Sequence, residues 1–344
     1  MTTPDHTAPP STLIDVARLA GVSPSTVSRI LNGTAKVSDD KRQAVLAAIE
    51  QMNFAPNQMA QALKKGRSMT IGIVVQDIAS PFFDETLRGV DDGLKGTGYA
   101  SVIVSGHWDA QEEAQRIRLL VGRKVDGIIL LAGRIGEEAI LQFAAQRPIV
   151  ATGRGLKDRH AHGFRLDQEH GAYLAVRHLI ELGHRRIAFI TGPADNVDVA
   201  ERLIGYTRAL REAGITLDPA LLAEGDLHEA GGVAAIDTLF AAGGDFTAIF
   251  AANDLSAYGA RLGLYRRGIA VPQAMSLVGF DDLPGSAYTT PPLTTVRQPL
   301  YDMGRIASGA LLALINGEEV AATLPPLELI VRETTRALDQ ASRV

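Results

Sequence analysis

The residues with the clearest chemical purpose lie near the start of the chain. Pro24, Ser25, Thr26, Ser28 and Arg29 fall within PSTVSRIL, where Val27, Ile30 and Leu31 supply an apolar face. On one helix the first five share the outer, polar side. Ser25 and Thr26 carry short hydroxyls suited to phosphates or base edges, and Arg29 is long enough to meet a guanine with two parallel hydrogen bonds. The chemistry would be recognition of a polyanion rather than bond making. Charge agrees with this: residues 1–70 hold eight Lys and Arg against five Asp and Glu, whereas the whole chain has 34 against 39. A basic head on an acidic body is the pattern expected of a segment that meets nucleic acid. An ordinary helical hairpin with a solvated polar face has the same spacing.

The elements that must position these residues can be read directly. Leu13, Val16, Ala17 and Ala20 recur at i, i+3, i+4 and i+7 and predict one buried helix face. Gly21-Val22-Ser23 breaks that helix, with Ser23 as the next N-cap and Pro24 in the first turn. The second helix ends at Asn32-Gly33, where glycine supplies a left-handed cap. A third helix follows Ser38, with Asp39 and Asp40 in its first turn and Val45, Ile49 and Met52 inward. Two short helices across a glycine turn are the helix-turn-helix geometry, which sets the N-terminal residues of its second helix against base edges in the major groove.

From Met69 the pattern changes to strands alternating with amphipathic segments, at TIGIVV, ASVIVS, DGIILL, PIVAT, RIAFIT, TAIFAA and SLVGF. Such alternation predicts parallel sheets covered on both faces. The runs fall into one set before Arg154 and another from Arg186 onward, two similar lobes. Their tips, among them Asp77, Gly133, Asn253 and Asp281, are expected to line a cleft, because ligands bind beyond the carboxyl ends of strands in open α/β sheets. The chain of 344 residues has no cysteine, which excludes disulfides, thiolate–zinc sites and cysteine nucleophiles. No leader-like start and no membrane-length apolar run are present, so a cytoplasmic, nucleoid-associated protein is expected. Thr152–Gly155 lacks the spacing of a nucleotide-binding turn, Asp281-Asp282 has no ligand cluster around it, and no G-x-S-x-G, P-loop or HExxH occurs. No enzyme, metal or cofactor is expected.

The segment TLIDVARLAGVSPSTVSRILNGTAKVSDDKRQAVLAAIEQMNFAPNQMAQAL resembles the DNA-binding head of the lactose/galactose-repressor (LacI/GalR) family. The likeness continues through IGIVVQDIASPFFDE, VDGIIL, LIELGHRRIAFITGP, ERLIGY, FAANDLSAYGA, SLVGFDD and PLTTVRQP, from about Thr12 to Arg332. It implies a homodimeric repressor: an all-α helix-turn-helix head plus an α/β core of two doubly wound parallel-sheet lobes, like a periplasmic binding protein. In the family, the positions of Pro24, Ser25 and Arg29 read the operator, and those of Thr12, Ser23, Ser28 and Asn32 meet phosphate. Residues 56–64 match a hinge helix, too short to be stable alone in water. The resemblance implies that it folds when two copies pair on DNA, with Leu63 wedged into the minor groove, Asn57 and Ala60 on the groove floor and Lys64 near phosphates. A flexible basic linker is the plainer alternative.

By the same resemblance the acidic body is the sensor. Arg202 matches the family arginine that holds effector hydroxyls or carboxylates, and Asp281 the carboxylate that accepts from sugar hydroxyls. Asn253, Gln298 and Phe82 match the amides and the wall that complete the set; a strand-tip cap or an ion pair is the structural alternative for each. Leu227-His228 stands where many relatives carry a stacking aromatic, and Trp108 is the candidate platform from the other lobe, unless it is a packing residue. The expected organisation is a disordered stretch 1–11, a DNA-binding domain 12–55, a hinge and linker 56–68, a core 69–335 and a tail 336–344. The tail lacks heptads, so a dimer is the expected assembly. The expected partners are double-stranded pseudo-palindromic operator DNA and a small carbohydrate effector acting as inducer, with no membrane. The alternative is a solute-binding protein with no role on DNA.

Overall fold

The structure, a computed structural model, describes residues 12–31, 37–54, 66–243 and 245–338. The chain separates into two compact units, residues 1–68 and 69–344.

Among its described residues the first unit contains three helices, α1 (Leu13–Leu19), α2 (Pro24–Leu31) and α3 (Asp39–Gln51). Thr12 and Asp15 form a capping box on α1: Asp15 N donates to Thr12 Oγ1 at 3.3 Å, and Thr12 N donates to Asp15 Oδ2 at 3.0 Å. The helix stops where Gly21 adopts φ +65°, a left-handed turn open to glycine without a Cβ clash. Val22 N then returns to Ala17 O at 3.0 Å. Val16, Ala17, Val27, Ile30, Val45, Ala48 and Phe54 form one core. Burying Val27 and Ile30 turns the opposite face of α2 to solvent.

The second unit has two sheets. The first runs β2 (Ala100–Ser105), β1 (Thr70–Val75), β3 (Gly127–Leu130), β4 (Ile149–Thr152), β6 (Ala161–Phe164), β5 (Lys157–Asp158). It carries α4 (Pro81–Leu94), α5 (Ala110–Gly122) and α6 (Glu137–Ala144). The second begins with α7 (Gln168–Glu181) and runs β12 (Glu328–Ile330), β11 (Thr294–Arg297), β10 (Ser276–Asp281), β9 (Ala248–Ala251), β7 (Ile187–Ile190), β8 (Leu222–Ala223). It carries α8 (Val197–Glu212), α9 (Glu229–Ala241) and α10 (Asp254–Arg266). Pairing is parallel except at the β5–β6 and β11–β12 edges. Strands β3, β4, β7, β9 and β10 are buried throughout, as expected where helices cover both faces. Each sheet repeats the order 2-1-3-4, so each has a switch point beside its first strand, at β1/β3 and β7/β9.

The chain crosses between lobes three times: after Phe164, after Arg297, and between Asn316 and Glu328. Strand patterning alone missed this division. The first sheet continues past Arg154 to Phe164, and α11 (Leu300–Asn316) returns to the first lobe, where Ala307, Ala310, Leu311 and Leu314 enter its core. The return is seated by two glycines. A Cβ on Gly89 of α4 would lie 2.0 Å from Tyr301 O, and one on Gly304 of α11 would lie 2.0 Å from Thr86 O. The expected tail is also partly incorporated: Leu338 N donates to Leu182 O at 2.8 Å and Arg336 N to Ser276 Oγ at 3.1 Å. Among the described residues no helix is long and apolar enough to cross a membrane.

Candidate functional site

The start of α2 gathers three hydroxyls. Ser23 Oγ caps the helix by accepting from Thr26 N at 3.2 Å, and lies 2.9 Å from Ser25 Oγ and 2.8 Å from Thr26 Oγ1. Ser23, Pro24, Ser25 and Arg29 are exposed, and Thr26 and Ser28 are half-buried at the edge of the same face. The positive end of the helix dipole and the hydroxyl cluster together suit an anion, with Arg29 one turn further along. Thr12 is only partly available, because its hydroxyl also donates to Asp15 Oδ2 at 2.6 Å. Asn32, Asn57, Ala60, Leu63 and Lys64 lie outside the described residues.

In the second unit a cleft opens between the lobes at the carboxyl ends of both sheets. Its inner chamber, about 230 Å³, is lined by Phe82, Arg202, Asn253 and Asp281 from the expected set, joined by Trp108, Leu227 and His228. Arg202 projects from α8 and is 5% exposed. Its Nε donates to Gln168 Oε1 at 3.0 Å, one terminal nitrogen donates to Ala252 O, and its guanidinium lies 3.9 Å over the Phe280 ring. The other terminal nitrogen remains for a ligand. Asp281 closes β10 with φ +115°, a strained conformation of the kind found where function fixes a side chain. Gln298 Nε2 donates to Asp281 Oδ1 at 2.7 Å.

Two expected roles change in detail. Gln298 does not line the cleft: it sits behind Asp281 and also bonds Gln168 at 3.3 Å, so it orients the carboxylate instead of meeting the ligand. Asn253 lines the cleft, yet its amide is largely committed. Its Oδ1 caps α10 by accepting from Ser256 N at 2.9 Å, and its Nδ2 donates to Leu227 O at 2.8 Å. That second bond holds Leu227 at φ +67°. Among the other strand tips, Asp254 points inward and accepts from Leu283 N, Ser286 Oγ and Thr295 Oγ1, and Asp282 pairs with Arg297 and Arg332.

Several lining residues were not singled out from sequence. Asp198 stands one turn before Arg202 on α8, a signal present in the four-residue spacing of DVAER. Burial pushes its carboxyl above the usual range, and Arg202 opposes this. An outer chamber of about 470 Å³ adjoins the inner one, sharing Trp108, Ala132, Arg134, Asn196 and Asp198 with it. Its wall after β3 is clamped from both sides. Glu113 accepts from Arg134 N at 2.8 Å and Ile135 N at 3.0 Å, while Arg154 donates to the carbonyls of Gly133 and Ile135. Arg134 then spans the cleft to Asp195 of the second lobe, with both nitrogen–oxygen contacts at 2.9 Å.

Burial pushes Asp281 up to about 8 and Asp254 up to about 6, Arg202 opposing the rise at Asp281. The unfolded value of an aspartate is about 3.9. Between that and the raised value, the folded protein keeps a proton that the unfolded chain releases, so stability falls as pH climbs from about 4 toward 8. Asp281→Asn should flatten the decline in melting temperature between about pH 5 and 8. A decline as steep as in the wild type would move its source away from Asp281.

Residues 12–57 match the model for bacterial regulatory proteins of the lacI family, and residues 176–335 that for a periplasmic binding protein-like domain. The ribose operon repressor of Haemophilus influenzae is 35% identical over 306 residues, spanning 89% of this chain and 92% of that protein. Among solved structures, the transcriptional regulator CelR in complex with cellobiose shares 36% identity at a TM-score of 0.70, covering 94% of this chain and 99% of that one. The lac repressor dimer bound to operator and the anti-inducer ONPF shares 29% identity at a TM-score of 0.85, covering 96% and 100%.

Proposed function

Because the chain belongs to the LacI family of bacterial regulatory proteins and is a DNA-binding transcriptional repressor, we propose that two copies pair on a pseudo-palindromic operator and release it when a sugar fills the cleft. The observation that carries the sugar reading is the meeting of the Arg202 guanidinium and the Asp281 carboxyl against the Phe82 wall. Polyols need donors and acceptors paired in space, and this set supplies both. The ribose operon repressor and the cellobiose-bound regulator support the same ligand class. A general base with an adjacent nucleophile has no counterpart in this set, and the role is regulatory rather than catalytic, exercised at operator DNA in the cytoplasm.

The exposed hydroxyls of Ser23 and Ser25 and the Arg29 side chain form the operator-facing surface of each head, with Thr26 and Ser28 at its edge. Thr12, Asn32 and Lys64 add phosphate contacts, and Asn57, Ala60 and Leu63 act in the minor groove. Because three strands of chain join the lobes, a ligand gripping both can change their angle and so the spacing of the two hinges. The size of that switch is limited by the ligand's difference in affinity for the two arrangements.

Deleting residues 1–68 tests the division of labour. The truncated core should lose specific operator binding altogether while keeping sugar affinity within about threefold, a change of less than about 0.7 kcal/mol. Specific retardation of operator DNA by the core alone would overturn the reading.

A further inference from the structure

We infer that Gln168 is the positioning residue of the cleft, a buried hinge amide that joins Arg202 to Asp281 through Gln298 and carries the state of those two groups to the segments on which the lobes turn. This rests on the effector-site reading given above and adds to it the means by which occupancy reaches the hinge.

Four side chains form one hydrogen-bonded row, and each is at most 5% exposed. Arg202 Nε donates to Gln168 Oε1 at 3.0 Å, Gln168 Nε2 to Gln298 Oε1 at 3.3 Å, and Gln298 Nε2 to Asp281 Oδ1 at 2.7 Å. The direction of the row is set at one end. A guanidinium only donates, so the Gln168 carbonyl must face Arg202 and its amino group is left for Gln298. Gln298 then accepts with its carbonyl and turns its own amino group to Asp281. Reversing either amide would set donor against donor in a site closed to water, where an unmade bond costs most. The row is polarised throughout, so a shift of the guanidinium at one end is felt by the carboxyl at the other.

The two amides sit where the chain changes lobes. Gln168 opens α7, four residues after the first sheet ends at Phe164, and Gln298 follows Arg297, the last residue of β11. These are the first and second of the three crossings. The backbone holds both amides in place: Gln168 N donates to Leu166 O at 3.1 Å, Gln298 N to Asp281 O at 3.2 Å, and Leu300 N to Gln298 O at 2.8 Å. A change in lobe angle is absorbed by backbone rotation at a few such positions, and rotation there moves the amides. Conversely, a ligand that draws Arg202 and Asp281 together pulls on two crossings at once. A purely local role, in which Gln168 satisfies Arg202, requires its carbonyl alone. The bond that it donates to Gln298 is what makes it a relay.

The test uses the full-length protein. Arg202→Met and Gln298→Met remove the two partners that Gln168 joins. In urea unfolding at one protein concentration, the double variant should depart from the product of the single losses by at least roughly threefold in the unfolding constant, as members of one network do. The same cycle on a Gln168→Met background should be multiplicative. Function is read with D-ribose, D-galactose and cellobiose. The readouts are the emission of Trp108, the chain's one tryptophan and part of the cleft lining, and release of a duplex that the wild type selects from a random pool. Gln168→Met and Gln168→Glu should each bind the responsive sugar yet release the duplex about tenfold less at saturation. Glutamate keeps an acceptor for Arg202 but offers no donor to Gln298. Wild-type release by Gln168→Glu would therefore reduce Gln168 to a local partner of Arg202 and overturn the inference. Multiplicative losses in the first cycle, or a departure that survives Gln168→Met, would overturn it too and leave the effector site standing. If none of the sugars shifts the emission, the sugar reading falls and the unfolding cycles alone decide the inference.

Discussion

Replacing Arg202 by methionine is expected to weaken effector binding by about a hundredfold or more while operator binding persists. A hydrogen bond from a charged donor contributes about 1.5–3 kcal/mol, and a hundredfold loss corresponds to about 2.7 kcal/mol. Arg202 is 5% exposed, bonds Gln168 and Ala252, stacks on Phe280 and lines the inner chamber together with Asp281. Methionine fills the space of the aliphatic stem but provides no donor for a sugar hydroxyl and no positive charge beside Asp281. The variant should remain on operator DNA at effector concentrations that release the wild type. Calorimetry with the effector, paired with operator retardation with and without it, gives the answer. A normal response in both would remove Arg202 from the effector site.

Arg29→Ala is expected to cost about 1–3 kcal/mol at each half-site. Two heads on a two-fold site double that, to roughly 2–6 kcal/mol, or about thirtyfold to twenty-five-thousandfold in affinity. Binding to random duplex should fall far less, because non-specific affinity comes from the sum of phosphate contacts. Anisotropy titrations on operator and on random DNA at one salt concentration separate the two outcomes. The operator series should also lose preference at one base pair in each half-site. Equal losses on both DNAs would make Arg29 a phosphate contact.

The head was legible because its helices are specified locally: the 3.6-residue spacing, the Gly21 stop and the Ser23 cap all act within a few residues. The seven long strands were legible for the same reason, being apolar runs between turn residues. The short strands β5 and β8 are two residues long, below any periodicity. The return of α11 to the first lobe depends on Gly89 and Gly304 meeting backbone more than two hundred positions away in sequence, and no local pattern encodes that. At the cleft, the family resemblance pointed to Arg202 and Asp281, and both line the inner chamber. It did not separate Gln298 from the lining, since an amide facing a ligand and an amide facing a carboxylate look alike in one dimension. Arg134 and Asp195 are exposed, carry no motif, and acquire a shared role only when two lobes bring their loops together.

The return of α11 has a consequence during synthesis. The strands of the first lobe are complete at Phe164, but the helix that fills its groove ends at Asn316, about 150 residues later. At roughly 5–20 residues per second, a ribosome needs about 8–30 seconds to deliver it. For that interval Val90, Ile129 and Val150 lack the Leu311 and Leu314 side chains that share their core. The nascent chain therefore carries an open, helix-sized apolar groove until the second lobe has almost emerged. Slower translation near the end of the message, or a shortage of chaperones that mask such grooves, would lower the yield of active repressor without changing a single residue of the finished protein.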